Sequence, residues 1–133
     1  MKMAIFLLVA SAAALAQSES DNHNGYWWNH KSEQEKLIYL EGYTDGVSAA
    51  AGVSGPRGGA KLIYKMTGLD NKSATFGQFL SGLDHFYSDY RNVTIPTGLA
   101  VEYVSHELRG VSENELANEI RIDRKIASTT PDH

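Results

Sequence analysis

The clearest pattern of apolar positions along the chain lies in residues 76–90. One stripe of a helical wheel there holds seven apolar residues, Phe76, Phe79, Leu80, Leu83, Phe86, Tyr87 and Tyr90. Thr75 followed three residues later by Gln78 is a capping box, the signal that begins a helix. The pattern therefore predicts a helix whose aromatic face forms most of the hydrophobic core.

Three further segments show helical spacing. A capping box at Ser32 and Glu35 begins a helix that extends to about residue 51, with apolar positions at Leu40, Tyr43, Val47, Ala50 and Ala51. Pro96 suits the first turn of a helix that ends at Gly110. A last helix follows Ser112, with three residues expected to face inward: Leu116, Ala117 and Ile120.

A short helix over residues 60–66, stopped at Gly68, completes the pattern. We find no strand-type alternation of useful length. The sequence therefore predicts an all-α fold, an irregular bundle of four main helices plus one short helix.

The N-terminal residues predict an export signal. Lys2 precedes an apolar run that closes with Ala14-Leu15-Ala16, the small-residue pattern of a cleavage site. The run is shorter than the ~20 residues that a membrane-spanning helix needs. We therefore expect a signal peptide over residues 1–16, a disordered lead over 17–24, a single helical domain over 25–127 and a loose tail over 128–133. The protein would be exported, as a periplasmic or secreted protein.

Charge and cysteine content narrow the classes of partner and chemistry. Loss of Lys2 with the signal peptide leaves 11 basic and 16 acidic residues, a net charge of −5 with histidine neutral. This mild acidity makes nucleic acid and anionic membrane poor partners for the cleaved protein. The chain contains no cysteine, which excludes disulfides, thiol catalysis and thiolate metal sites. Neither the charge nor the cysteine content excludes a homodimer.

The sequence contains no recognisable catalytic or metal-binding motif. Glu102 and His106 lie one helical turn apart and suit an ion pair, whereas a zinc site needs three or four ligands. No phosphate-binding loop or nucleophile-elbow motif occurs. We expect a protein that is not an enzyme, with no catalytic residue, no metal site and no cofactor, and interpret it as a binding or inhibitor module.

Two segments are candidates for contact with a partner. Residues 52–59 hold four glycines and one proline, which predicts a loop, with Ser54 in it and Arg57 as its only charge. Trp27 and Trp28 are the only tryptophans of the chain and stand side by side. They suit a lid over one end of the core, and a ligand platform is the alternative.

Residues 40–47, L-E-G-Y-T-D-G-V, carry the pattern with the most specific spacing. Gly42 and Gly46 are four residues apart in a predicted helix, and we expect a neighbouring backbone to pass close to them, since each glycine weakens a helix. Together with Tyr43 and Asp45 they form a predicted helix-packing motif.

This motif resembles the signature in the first helix of the Tai/Rap immunity family, and the likeness in layout extends over residues 37–110. Members of that family are small exported helical proteins that inhibit secreted peptidoglycan-cleaving amidases, and they usually carry paired cysteines, which this chain lacks. The resemblance implies a secreted peptidoglycan hydrolase as partner. The alternative is an envelope domain that binds a ligand or supports structure, with no hydrolase partner.

Overall fold

The computed structural model describes residues 23–55, 58–70 and 74–129, which form helices joined by short connections. The helices are α1 (Gly25–Asn29), α2 (Glu33–Val53), α3 (Gly59–Met66), α4 (Phe76–Ser88), α5 (Thr97–Leu108) and α6 (Glu113–Thr129), with a 3-10 turn over Tyr90–Asn92. The predicted all-α fold is confirmed, and the helix that the pattern missed is α1. In the described ranges, no helix has the length and apolarity to cross a membrane.

The helix ends follow the predicted local signals. Ser32 and Thr75 both form complete capping boxes, in which each side chain accepts the backbone N–H three residues on. Gly68 and Gly110, which follow α3 and α5, have φ angles of 72° and 75°. This left-handed conformation ends a helix and favours glycine.

Helix α4 lies at the centre of the core. Its stripe is buried at four positions, Phe79, Leu83, Phe86 and Tyr87, which pack with residues of α1, α2 and α5. The Tyr87 hydroxyl is buried and donates a hydrogen bond to the Ile95 carbonyl at 2.9 Å. The two ends of the stripe are exposed: Phe76 opens the helix, and Tyr90 lies beyond its last residue, Ser88.

The ordered structure extends beyond the predicted domain at both ends. Asn24 caps α1 by accepting from the Tyr26 and Trp27 backbone N–H groups, and His23 accepts from the Thr97 N–H at 2.7 Å. The predicted disordered lead over 17–24 is therefore wrong at its last two residues, because these contacts fix them to α5. Helix α6 includes residues 128 and 129, so the predicted loose tail is wrong there. Residues 1–22, with the predicted signal peptide, and residues 130–133 lie outside the described residues.

The predicted close crossing at Gly42 and Gly46 is wrong. Both glycines are exposed, and beyond the neighbouring backbone of α2 itself no described atom lies within 4 Å of the position that a Cβ would occupy. Helix α2 turns a different face to the bundle, the one that carries Leu40 and Val47. Of the other two motif residues, Tyr43 is half-buried and Asp45 is exposed.

Close approaches occur at four other glycines, one of which is Gly59, where a Cβ would lie 2.9 Å from the Ser54 carbonyl oxygen. A Cβ on Gly82 would lie 2.5 Å from Val104 Cγ1, where α4 crosses α5. One on Gly68 would lie 2.8 Å from the Cα of Glu102, and one on Gly25 would meet the Tyr87 ring. These glycines therefore serve the tight packing that the sequence pattern assigned to α2.

Candidate functional site

An apolar pocket of about 340 Å³ lies between α2, α3, α4 and α5. Its lining is drawn from these helices and from the connection between α3 and α4: Leu40, Tyr43, Thr44, Tyr64, Leu69, Ala74, Thr75, Phe76, Phe79 and Val101. This volume falls within the range typical of small-molecule sites. The pocket is the candidate functional site.

The pocket has a rigid floor and an open mouth. Leu40, Phe79 and Val101 belong to the buried core and are held by three different helices. Phe76, at the first turn of α4, is 41% exposed, and Tyr64 on α3 is half-buried. Helix α3 has no buried residue, so its side of the pocket is more exposed than the floor.

Hydroxyl groups supply the polar part of the lining. Thr44 Oγ1 donates to the Leu40 carbonyl at 2.8 Å, and Thr75 is held in its capping box. The Tyr43 hydroxyl has a longer bond, 3.4 Å to the Thr67 carbonyl oxygen. Burial raises the pKa of Tyr43 to about 12. At neutral pH it is therefore an uncharged hydrogen-bond donor.

An aromatic cluster extends from the pocket toward α1. The Tyr43 ring stacks on Tyr39 with centroids 6.3 Å apart, and Tyr39 stacks on His23 at 5.2 Å. Trp27 lies 4.9 Å from Tyr39, with the Lys31 ammonium 5.6 Å from the Trp27 ring centroid. Trp27 is half-buried in this cluster and leaves only part of its surface for a ligand.

Trp28 is a core residue. It is 0% exposed, and its Nε1 donates to Asp84 Oδ1 at 2.8 Å. The Lys36 ammonium binds the same carboxylate oxygen at 2.7 Å and lies 5.3 Å from the Trp28 ring centroid. The predicted partner contact at Trp28 is therefore wrong, because no surface of its ring is accessible, and the lid interpretation holds for it.

The predicted loop over residues 52–59 is shorter than expected. Helix α2 continues to Val53 and α3 begins at Gly59, so the loop prediction is wrong at both ends. Ser54 is exposed, and its hydroxyl donates a hydrogen bond to the Ala51 carbonyl at 2.7 Å. The hydroxyl proton is therefore already used within the turn. Arg57 lies outside the described residues.

A second cluster of titratable groups lies where α5 meets α6. His106 Nδ1 is 2.8 Å from Glu119 Oε2, so the described ion-pair partner of His106 is Glu119 on α6 rather than Glu102. Asp123, one turn further along α6, is only 6% exposed. Burial, and after it the charges of Glu119 and Glu102, raise the pKa of Asp123 to about 6. Burial also raises the pKa of Glu102.

This cluster does not have the form of a metal site. Within the described ranges, no group of three or more histidine, aspartate or glutamate side chains has a suitable arrangement. One carboxylate, that of Glu119, instead contacts His106 in the interface between α5 and α6.

The pocket was not foreseen from the sequence. The pattern of apolar positions places both Phe76 and Phe79 in the core, whereas Phe76 lies at the mouth of the pocket. Tyr64 and Leu69 belong to a short helix and a connection that carried no functional signal. The amphipathic pattern of α3 without a buried residue is the one local feature that points to this site.

The comparisons with known proteins leave the family of the chain open. No protein-family model, no curated protein and no solved structure matches it.

Proposed function

We propose that the protein is an exported, non-enzymatic module that binds a small, mostly apolar ligand in the pocket between α2, α3, α4 and α5. The observation that carries the proposal is the pocket itself, with its volume of about 340 Å³ and its buried apolar floor. The mouth of the pocket is open, so its apolar lining is in contact with water, and covering apolar surface is favourable. A ligand that fills the pocket removes this surface from water and gains dispersion contacts with the floor.

The chemistry of the lining supports binding rather than catalysis. Its described residues offer apolar surface and hydroxyl groups. The raised pKa of Tyr43 makes its hydroxyl a poorer source of phenolate. The export component of the proposal is supported by the pattern of the first sixteen residues alone.

The proposal is tested by a substitution at the rim of the pocket that fills part of its volume. Ala74 is half-buried in the lining, and Ala74→Phe places a ring where the ligand would lie. We expect the variant to bind the neutral fluorescent probe N-phenylnaphthylamine more than tenfold more weakly than the wild type, a loss of at least about 1.4 kcal/mol. The measurement is a fluorescence titration.

Ala50→Phe is the matched control, because Ala50 is exposed on α2 and is not part of the lining. It should bind the probe as the wild type does. Equal affinity of wild type and Ala74→Phe would show that the probe binds elsewhere. Failure of the wild type to bind the probe would count against the proposal directly.

A second candidate function is inhibition of a secreted peptidoglycan amidase, as the family resemblance implies. It is favoured by exposed apolar side chains on the pair of helices that flank Ser54. Val53, Leu62 and Met66 are 87%, 57% and 64% exposed. Such side chains suit the centre of a protein–protein interface, which is depleted of charge.

The inhibitor candidate is tested with an amidase encoded beside the gene. Leu62→Asp should abolish inhibition of peptidoglycan cleavage, because a charge would be buried in the interface. Ile38→Asp is the control. Ile38 is as exposed as Leu62, but it lies near the N-terminal end of α2, far along the helix from Val53. Equal inhibition by both variants, or none by the wild type, would exclude this surface as the inhibitory contact.

A further inference from the structure

The Tyr43 hydroxyl is a hydrogen-bond donor with a weak internal partner. Its distance of 3.4 Å to the Thr67 carbonyl oxygen exceeds the 2.5–3.0 Å of a good O–H···O bond. A half-buried donor in a long bond gains free energy when a better-placed acceptor becomes available. Tyr43 lines the pocket, so a ligand there can offer that acceptor.

The other hydroxyl donors of the lining differ from Tyr43 in this respect. Thr44 donates in a short bond within α2, and the exposed Thr75 hydroxyl donates to Gln78 Oε1 at 3.2 Å within its capping box. The Tyr64 hydroxyl makes no hydrogen bond to a described residue, but it lies on α3, which contributes no buried side chain. Tyr43, on a long helix beside the buried floor, is therefore the better-fixed donor.

The described lining offers no cation to an anionic ligand. Lys36 on α2 binds Asp84 at 2.7 Å, and the two cations of α3, Lys61 and Lys65, are exposed and are not part of the lining. An ionised group that enters an apolar pocket loses its hydration, and without a partner this loss is not compensated. The part of the ligand within the pocket should therefore be neutral.

We infer, on the basis of the proposed binding function, that the ligand is an uncharged, mostly apolar molecule with a carbonyl, ether or hydroxyl oxygen that accepts a hydrogen bond from Tyr43. The apolar part packs on the floor formed by Leu40, Phe79 and Val101. The oxygen replaces the Thr67 carbonyl as partner of the Tyr43 hydroxyl. Specificity then comes from one donor, and most of the affinity comes from apolar contact.

The experiment compares three ligands of similar size: butylbenzene, butyrophenone and phenylbutyrate. They share a phenyl ring and a short chain and differ in carrying no oxygen, a neutral carbonyl or a carboxylate. Each is titrated by displacement of N-phenylnaphthylamine from the wild type, Tyr43→Phe and Tyr64→Phe. We expect butyrophenone to bind the wild type roughly threefold to tenfold more tightly than either of the other two, the range of one net hydrogen bond.

The variants assign the donor. Tyr43→Phe should remove the advantage of butyrophenone over butylbenzene and leave the affinity for butylbenzene within about twofold. Tyr64→Phe should retain that advantage, and its loss in Tyr64→Phe alone would overturn the assignment to Tyr43. If phenylbutyrate binds most tightly, the inference that the ligand is uncharged is wrong. If butyrophenone and butylbenzene bind equally, the inference that the ligand accepts a hydrogen bond is wrong. If none of the three ligands displaces the probe, or if Ala74→Phe does not affect the displacement, the proposed binding function itself is contradicted.

Discussion

Gly68→Ala is expected to lower the free energy of unfolding by about 2–5 kcal/mol. Gly68 has a φ of 72°, where a Cβ introduces strain of about 1–2 kcal/mol. That Cβ would also lie 2.8 Å from the Cα of Glu102, a backbone atom that cannot rotate away. Overpacking of this kind adds about 1–3 kcal/mol. Chemical denaturation followed by circular dichroism measures the loss.

Two matched substitutions separate the two causes. Gly110 has a φ of 75° and no described atom within 4 Å of a Cβ, so Gly110→Ala should show the backbone strain alone. Gly46→Ala, in an exposed and open part of α2, should raise the free energy of unfolding by about 0.5–1 kcal/mol, because alanine is the better helix former. Equal losses for Gly68→Ala and Gly110→Ala would mean that the turn after α3 does not press on α5.

Asp123→Asn is expected to raise the free energy of unfolding at pH 7.5 by about 1–3 kcal/mol. Asp123 is buried, and its pKa is raised from 3.8 to about 6, so its charge at neutral pH opposes folding. One unit of pKa shift corresponds to about 1.4 kcal/mol, and relaxation of the surroundings reduces the full value. Asparagine has nearly the same shape and no charge. Denaturation at a series of pH values measures the effect.

The sign of the pH dependence follows from the same shift. A carboxyl group with a raised pKa in the folded state takes up a proton on folding, so wild-type stability should rise as pH falls from about 7 to about 4. Below about 4 the trend reverses, because Arg91 and then Arg124 hold the pKa of Asp89 well below its usual value and the unfolded chain is protonated first. Asp123→Asn should flatten the rise between pH 7 and 5. A profile parallel to that of the wild type would show that Asp123 is not the group that titrates.

The sequence predicts those features that depend on residues a few positions apart. Ser32 with Glu35 and Thr75 with Gln78 begin helices because each pair is bonded within one turn. Helix α1 was missed because its five residues are too few to show a periodic pattern. Its Asn24 cap is joined to α5 through the Thr97–His23 bond, which spans 74 positions.

Features that depend on which face meets a neighbour were predicted less well. Gly42 and Gly46 have the spacing of a packing motif, but this spacing does not reveal that they face outward. In α6 the pattern assigned Ala117 to the interior, whereas Ala117 is exposed and Asp123 is buried. The pocket is a gap between four helices and the connection after α3. A helical wheel gives the face of one helix and cannot give the space left between several.

Because both tryptophans lie in α1, their fluorescence reports how α1 packs against the rest of the bundle. Trp27 and Trp28 both lie in α1, and Trp28 is bonded to Asp84 on α4. Because Trp27 also packs on Tyr39 of α2, tryptophan emission follows the separation of α1 from α2 and α4, whereas helical circular dichroism is dominated by the longer helices. If α6 detaches from the bundle before the other helices unfold, as charge on Asp123 favours, the dichroism signal falls before the tryptophan emission changes. Coincident curves at pH 5 and separated curves at pH 8 would place the weakest helix contact of the bundle at α6.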